Sequence, residues 1–161
     1  MSIIEDAIAF EKEGVELYKE MAGHVKNKIA HRMFESLMQQ EKDHIHYIQA
    51  YVKSKTFQPM KYIPLLEDIK KVFESLKQEE RKEKVSNLEG YEYAIKLENK
   101  GYNLYKNALA AATNDNDKQF FQFLMDMEQQ HYEALANVYR YFAQNDLWLS
   151  ENESQTWSWM D

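Results

Sequence analysis

Glu41 and His44 stand three residues apart in "LMQQEKDHIHYI" (37–48). If that stretch is helical, the two side chains share one face, because residues at i and i+3 of a helix are neighbours. A carboxylate beside an imidazole can hold a cation, but it can also decorate a wetted surface. One such pair is a weak signal. The chain contains a second, Glu128 and His131, 87 residues further on. At that offset "AIAFEKEGVELYK" (7–19) falls on "AIKLENKGYNLYK" (94–106), and "FESLMQQEKDH" (34–44) falls on "FQFLMDMEQQH" (121–131). Without a gap, 13 of the 42 positions in 7–48 are identical in 94–135. The identities include Glu11/Glu98, Gly14/Gly101, Tyr18/Tyr105, Asn27/Asn114, Glu41/Glu128 and His44/His131, and each Glu-x-x-His lies 30 residues after the preceding glutamate of its own copy. An internal repeat that keeps six potential ligands in register is hard to reconcile with scatter.

The chemistry follows from where these residues fall. Each pair interrupts an apolar stripe, and Glu11 and Glu98 also have aliphatic neighbours. Packing those stripes together takes four carboxylates out of water, which costs several kcal/mol per ion or forces protonation unless positive charge compensates. Two divalent cations balance four glutamates, and they accept oxygen and imidazole ligands in the number offered. One glutamate from each of two helices, with Glu-x-x-His from each of the other two, is the ligand set of dinuclear carboxylate bundles. Each metal would take one histidine and one terminal carboxylate, the other two carboxylates bridging. Carboxylate and imidazole suit iron, manganese and zinc alike.

The elements that must carry this set are helices. Four glycines and two prolines in 161 residues suit long helices far better than a sheet with many turns. The first helix is predicted from about Ser2 to Ala22, with Ile4, Ala7, Ile8, Glu11, Val15, Tyr18 and Ala22 on its inner stripe and Gly23 ending it. Asn27 is a suitable N-cap for a second helix reaching about Lys53, with Phe34, Leu37, Met38, Glu41, His44, Ile45 and Ile48 facing inward. A connector over about 54–86 contains Pro59 and Pro64. Pro64 can occupy the first turn of a shorter helix with Leu65, Leu66, Ile69, Val72, Phe73 and Leu76 on its apolar side. The nearly all-polar run from Lys77 to Lys84 reads as a solvated end. A third long helix is expected from about Asn87 to Ala112, and "TNDND" turns into a fourth from about Asp115 to Ala143. The expected fold is therefore all-α: two repeated helical hairpins (about 4–52 and 91–142) joined by one long crossover. That is the connectivity of a ferritin-like four-helix bundle. One domain over 1–161 is the simplest organisation for a chain of this length.

With these motifs in place, the chain resembles rubrerythrin-type members of the ferritin-like superfamily. The resemblance rests on E-x6-Y in the first and third helices (Glu11 with Tyr18, Glu98 with Tyr105) and on Glu-x-x-His in the second and fourth. It implies that Glu11, Glu41, His44, Glu98, Glu128 and His131 bind two iron ions, with manganese or zinc as alternatives. It further implies that Glu41 and Glu128 bridge while Glu11 and Glu98 are terminal, and that Tyr18 and Tyr105 hydrogen-bond ligating carboxylates. Two departures stand out. Many members add a rubredoxin domain with four cysteines, and this chain has no cysteine, so electrons would have to come from an external, rubredoxin-type donor. Members also carry a further glutamate one turn after the third-helix ligand, where this chain has Gly101, which implies the more symmetric six-ligand site.

The remaining features narrow the class. A net charge of −7 argues against a nucleic-acid surface, which needs a basic footprint. The N-terminal "MSIIEDAIAFEKEG" lacks a basic start and apolar stretch, and no apolar run approaches a bilayer span, so a cytoplasmic protein without membrane contact is expected. Gly14 and Gly101 either permit close helix packing or leave room for an oxidant. His24, His31 and His46 lack repeat partners and are expected in solvent; Met33, Met38, Met125 and Met127 are expected to fill the core. Trp148, Trp157 and Trp159 in the tail at 146–161 suggest docking, onto the bundle or onto a second subunit, and a homodimer is expected. The function expected is that of a non-haem di-iron oxidoreductase reducing hydrogen peroxide, or dioxygen. The alternatives are ferritin-like iron oxidation and storage, or a non-catalytic binding module.

Overall fold

The computed structural model describes residues 2–76 and 88–143. The polar run at 77–84, the expected helix start at Asn87 and the tryptophan-bearing tail lie outside the described residues. Among the described residues five α-helices follow one another: α1 (Ile3–His24), α2 (Lys28–Ser54), α3 (Leu65–Ser75), α4 (Leu88–Ala111) and α5 (Asp115–Ala143). The described residues contain no strand. The long helices form a ferritin-like bundle in which α1 pairs with α2 and α4 with α5 over most of their lengths. Across the halves α1 meets α4 and α2 meets α5, and α3 lies on α2 and α5.

Repeat-related asparagines start the second helix of each hairpin. Asn27 Oδ1 accepts from the backbone N–H of Ile29 and Ala30 at 2.9 and 3.1 Å, and Asn114 Oδ1 accepts from Asp117 N–H at 2.9 Å. Each satisfies donors that the first helical turn leaves unpaired. Gly23 does not end α1. The helix continues to His24 and closes at Val25, whose N–H bonds Met21 O at 3.2 Å. Pro64 is the residue immediately before α3 and not part of its first turn. Both are shifts of one or two residues, the range over which frayed ends vary.

The buried faces are displaced from the expected stripes. In α1, Ala7, Glu11, Tyr18 and Ala22 are buried as expected, but Phe10, Gly14 and Met21 are buried too, while Ile4, Ile8 and Val15 are only half-buried. In α2 the buried set runs from Ile29 to Tyr51 and includes Met33, whereas Met38 and Ile45 are half-buried. A bundle helix packs against neighbours on two sides, so its inner face is centred on the residue aimed at the bundle axis. Here that residue is Glu11, flanked by positions 7, 10, 14 and 18. In α3, Leu65, Ile69 and Phe73 are buried, and Leu66, Val72 and Leu76 are half-buried.

The apolar interior divides into two cores. One gathers Tyr18, Phe34, Leu37, Tyr91, Leu135 and the buried face of α3. The other gathers Ala7, Ile48, Tyr105, Phe120 and Leu124. On every long helix the glutamate or Glu-x-x-His lies between the residues given to these two cores. The connector from Lys55 to Pro64 is pinned to the bundle by hydrogen bonds that include one from Gln130 Nε2 to the Tyr62 hydroxyl at 3.0 Å. Phe57 N–H donates to Asn116 Oδ1 at 2.9 Å, Tyr47 OH to Gln58 O at 2.9 Å, and Gln40 Nε2 to Ile63 O at 3.1 Å. Arg32 and Ser36 hold Asp68 of α3 in the same way, the guanidinium at 3.1 Å.

Tyr91 breaks the rule that buried polar groups are paired. Its ring is fully buried, and its hydroxyl has no hydrogen-bond partner among the described residues. A buried hydroxyl left unsatisfied costs about 1–3 kcal/mol. Tyr91→Phe removes that cost while keeping the ring, so thermal unfolding should show a melting temperature equal to or above that of the unaltered protein. A fall would mean that the hydroxyl is satisfied.

Candidate metal centre

Between the two cores lies a layer of six ionisable side chains. Glu11, Glu41, His44, Glu98, Glu128 and His131 are each no more than 1% exposed. Every residue named from the sequence as a ligand is therefore brought to one place. They form two overlapping groups, Glu11/Glu41/His44/Glu128 and Glu41/Glu98/Glu128/His131, in each of which one ligand atom per residue lies within 4.8 Å of the others. Glu41 and Glu128 belong to both groups. The imidazoles stack with centroids 5.4 Å apart and planes 8° from parallel. Each turns Nδ1 to the carboxylates. His44 Nδ1 is 3.4 Å from Glu11 Oε2 and from Glu41 Oε2, and His131 Nδ1 is 3.1 Å from Glu41 Oε1 and 3.5 Å from Glu98 Oε2.

The tyrosines cross between the repeats. Tyr18 OH donates to Glu98 Oε1, and Tyr105 OH donates to Glu11 Oε1, the latter at 2.5 Å. Burial, reinforced by the negative charge of Glu98 beside Tyr18 and of Glu11 beside Tyr105, pushes both phenols well above their ordinary range, so they remain protonated donors. Sequence alone could name the tyrosines but not the crossing, which depends on how α1 and α4 face each other.

The glycines resolve in favour of close packing. A Cβ on Gly101 would collide with the Phe10 ring, with Cε1 at 2.6 Å, and would stand 3.1 Å from Glu128 Oε2. A Cβ on Gly14 would stand 3.3 Å from Glu41 Cγ. Each glycine thus admits one of the two shared carboxylates, and the Phe10 ring fills the space beside Gly101. Phe10 was not singled out from the sequence, although its place at i+3 from Ala7 put it within reach of the inner face. Gln40 was also missed, and its Oε1 lies 2.6 Å from His131 Nε2. His24, His31 and His46 are exposed, with His31 tethered to Ala22 O at 2.9 Å and to Glu35 at 3.1 Å.

The donor set fits cations better than it fits itself. Four carboxylate oxygens (Glu41 Oε2, Glu98 Oε2, and Oε1 and Oε2 of Glu128) have no hydrogen-bond donor among the described residues. Without a cation, protons must supply the missing charge. Burial, and then the charge of Glu41, raises Glu11 to about 8. Burial and the surrounding carboxylates raise Glu128 well above its ordinary value. Burial also pushes Glu41 and Glu98 upward, but proton-bearing neighbours outweigh it: Glu11 and the two histidines lower Glu41 to about 2, and Glu128, His131 and Tyr18 lower Glu98. Burial opposes charge on the imidazoles, yet Glu11 and Glu41 raise His44 well above its ordinary value, and Glu98 and Glu41 raise His131 to about 9. Two carboxyls that keep their protons, two carboxylates and two imidazoliums together carry no net charge. Four carboxylates, two neutral imidazoles and two divalent cations also carry none. The layer can exchange four protons for two cations.

Among the described residues no helix is long and apolar enough to cross a membrane. The family model described as Rubrerythrin matches residues 2–139. No curated protein and no solved structure matches the chain.

The proton inventory sets a pH dependence. In the metal-free protein, Glu11 (about 8) and His131 (about 9) hold protons more tightly than in the unfolded chain. Their contributions are complete below the unfolded values near 4.5 and 6.5, and are lost as pH rises through about 8 and 9. Glu41 contributes above about 4.5 and loses its contribution as pH falls towards 2. The melting temperature of metal-free protein should therefore fall between pH 6 and pH 9. With saturating zinc the slope should flatten or reverse, because cations then replace the protons. Scanning calorimetry at several pH values checks this, and parallel slopes with and without zinc would contradict it.

Proposed function

The chain belongs to the rubrerythrin family, and from that premise we propose that it is a di-iron oxidoreductase that reduces hydrogen peroxide, with electrons supplied by an external donor protein. The observation that carries this reading is the pair of overlapping ligand groups that share Glu41 and Glu128 in a layer closed off by apolar cores. Glu11 and His44 would complete one metal position, Glu98 and His131 the other. Iron bound there would supply Lewis acidity and two electrons, one from each ferrous ion, matching the two electrons and two protons that convert peroxide to two molecules of water.

The chain's own residues account for the rest. Tyr18 and Tyr105 hold Glu98 and Glu11 by donating to one oxygen of each, which leaves the other oxygen of each carboxylate on the cluster side. Raised phenol pKa values keep that grip across the physiological range. Phe34 stacks on Tyr18 and Phe10 meets Tyr105 edge-on, at centroid distances of 6.1 and 6.4 Å, fixing the rings that do the holding. The apolar cores exclude bulk water on both sides, which strengthens every charge–charge interaction in the layer. The lack of cysteine leaves re-reduction to a partner such as a rubredoxin-type protein.

Reconstitution under ferrous conditions, followed by one equivalent of peroxide, should oxidise the iron rapidly in the optical spectrum. Added rubredoxin and its reductase should then sustain many turnovers. Accumulation of many irons per chain without cycling would instead support iron storage. Glu41→Ala and Glu128→Ala should each lose most of the bound metal and the turnover with it. Unchanged metal content in either variant would overturn the ligand assignment.

A further inference from the structure

His44 and His131 are equivalent in the repeat, but the outer nitrogens of their rings meet different surroundings. His131 Nε2 lies 2.6 Å from Gln40 Oε1. His44 Nε2 is buried and has no hydrogen-bond partner among the described residues. The residue 87 positions after Gln40 is Met127, buried in the bundle, and a thioether is at best a weak acceptor. The six ligands follow the repeat, whereas the residue behind one of the histidines does not.

The orientation of the Gln40 amide follows from its second contact. Its nitrogen donates to the backbone carbonyl of Ile63, 3.1 Å away in the connector between α2 and α3. A carbonyl oxygen only accepts, so the amide nitrogen faces Ile63 and the amide oxygen faces the imidazole. That oxygen also only accepts, so the ring proton opposite it sits on Nε2 of His131. In the neutral ring, the Nδ1 lone pair then points to the side on which Glu41 Oε1 and Glu98 Oε2 lie, 3.1 and 3.5 Å away. A ligating histidine needs this tautomer, and an acceptor on its outer nitrogen both fixes the ring and raises its basicity.

We propose that Gln40 is a positioning residue that makes the two metal positions unequal. Held by Ile63, it sets His131 as an Nδ1 ligand and makes the Glu98/His131 position the tighter of the two, while nothing equivalent among the described residues sets His44. The inference rests on the metal-centre reading above. Gln40 is half-buried and borders a surface cavity of about 460 Å³ together with Tyr62 and Ile63, so its side chain can be changed without opening a core.

Titration of metal-free protein with zinc alone, by calorimetry at neutral pH, separates the possibilities. The unaltered protein should take two ions in two distinguishable steps. Gln40→Met, which copies the repeat's own Met127, should weaken the tighter step about 10–100-fold and leave the weaker step unchanged. Gln40→Glu retains an acceptor oxygen for Nε2–H and should keep the tighter step. The proposal is overturned if Gln40→Met binds as the unaltered protein does, if both steps weaken alike, or if Gln40→Glu loses as much as Gln40→Met. Failure of the unaltered protein to bind any zinc would instead remove the metal centre itself, and this inference with it.

Discussion

Four carboxylates buried within reach of one another constrain everything else in this bundle. Each one taken from water as an ion costs several kcal/mol unless charge is returned to it, and the six-residue layer is no more than 1% exposed at any member. Two imidazoles and two phenols return part of that charge and hydrogen bonding. They still leave four carboxylate oxygens without donors among the described residues. Protons can close the balance only by raising Glu11 and Glu128 far out of the carboxylate range. Divalent cations close it with every glutamate ionised, the state in which a carboxylate ligates.

The repeat is the device that builds such a layer from one short pattern. A helical hairpin with a glutamate on its first helix and Glu-x-x-His on its second offers half a site, and two hairpins facing each other complete it. Sharing follows from that arrangement, since Glu41 and Glu128 fall in both ligand groups. The same facing arrangement sends the hydroxyl of each tyrosine to the glutamate of the opposite hairpin. The halves are thus joined at the layer as well as through the two cores, a glutamate of one hairpin being held by a tyrosine of the other.

Much of this was legible in the sequence because repetition and helical period are both local properties. The six residues that gather in the layer and the pairing of two helical hairpins were readable from an 87-residue offset and from apolar spacing. What was not readable depends on the angle between helices. Periodicity placed Ile8 and Val15 on the inner stripe of α1, but two flanking helices bury Phe10, Gly14 and Met21 instead. The purpose of Gly101 was undecided until the Phe10 ring was found where its side chain would stand. Gln40 was invisible for the opposite reason. It is a position at which the two copies differ, and its role comes from a connector carbonyl with no counterpart in the pattern.

The central claim is that this layer exists to hold two metal ions. The most direct measurement is the metal content of the purified protein by elemental analysis, before and after anaerobic reconstitution with ferrous iron and removal of loosely held ions. The account predicts close to two metal ions per chain after reconstitution. A folded protein that retains none, or that saturates at a single ion, would contradict it.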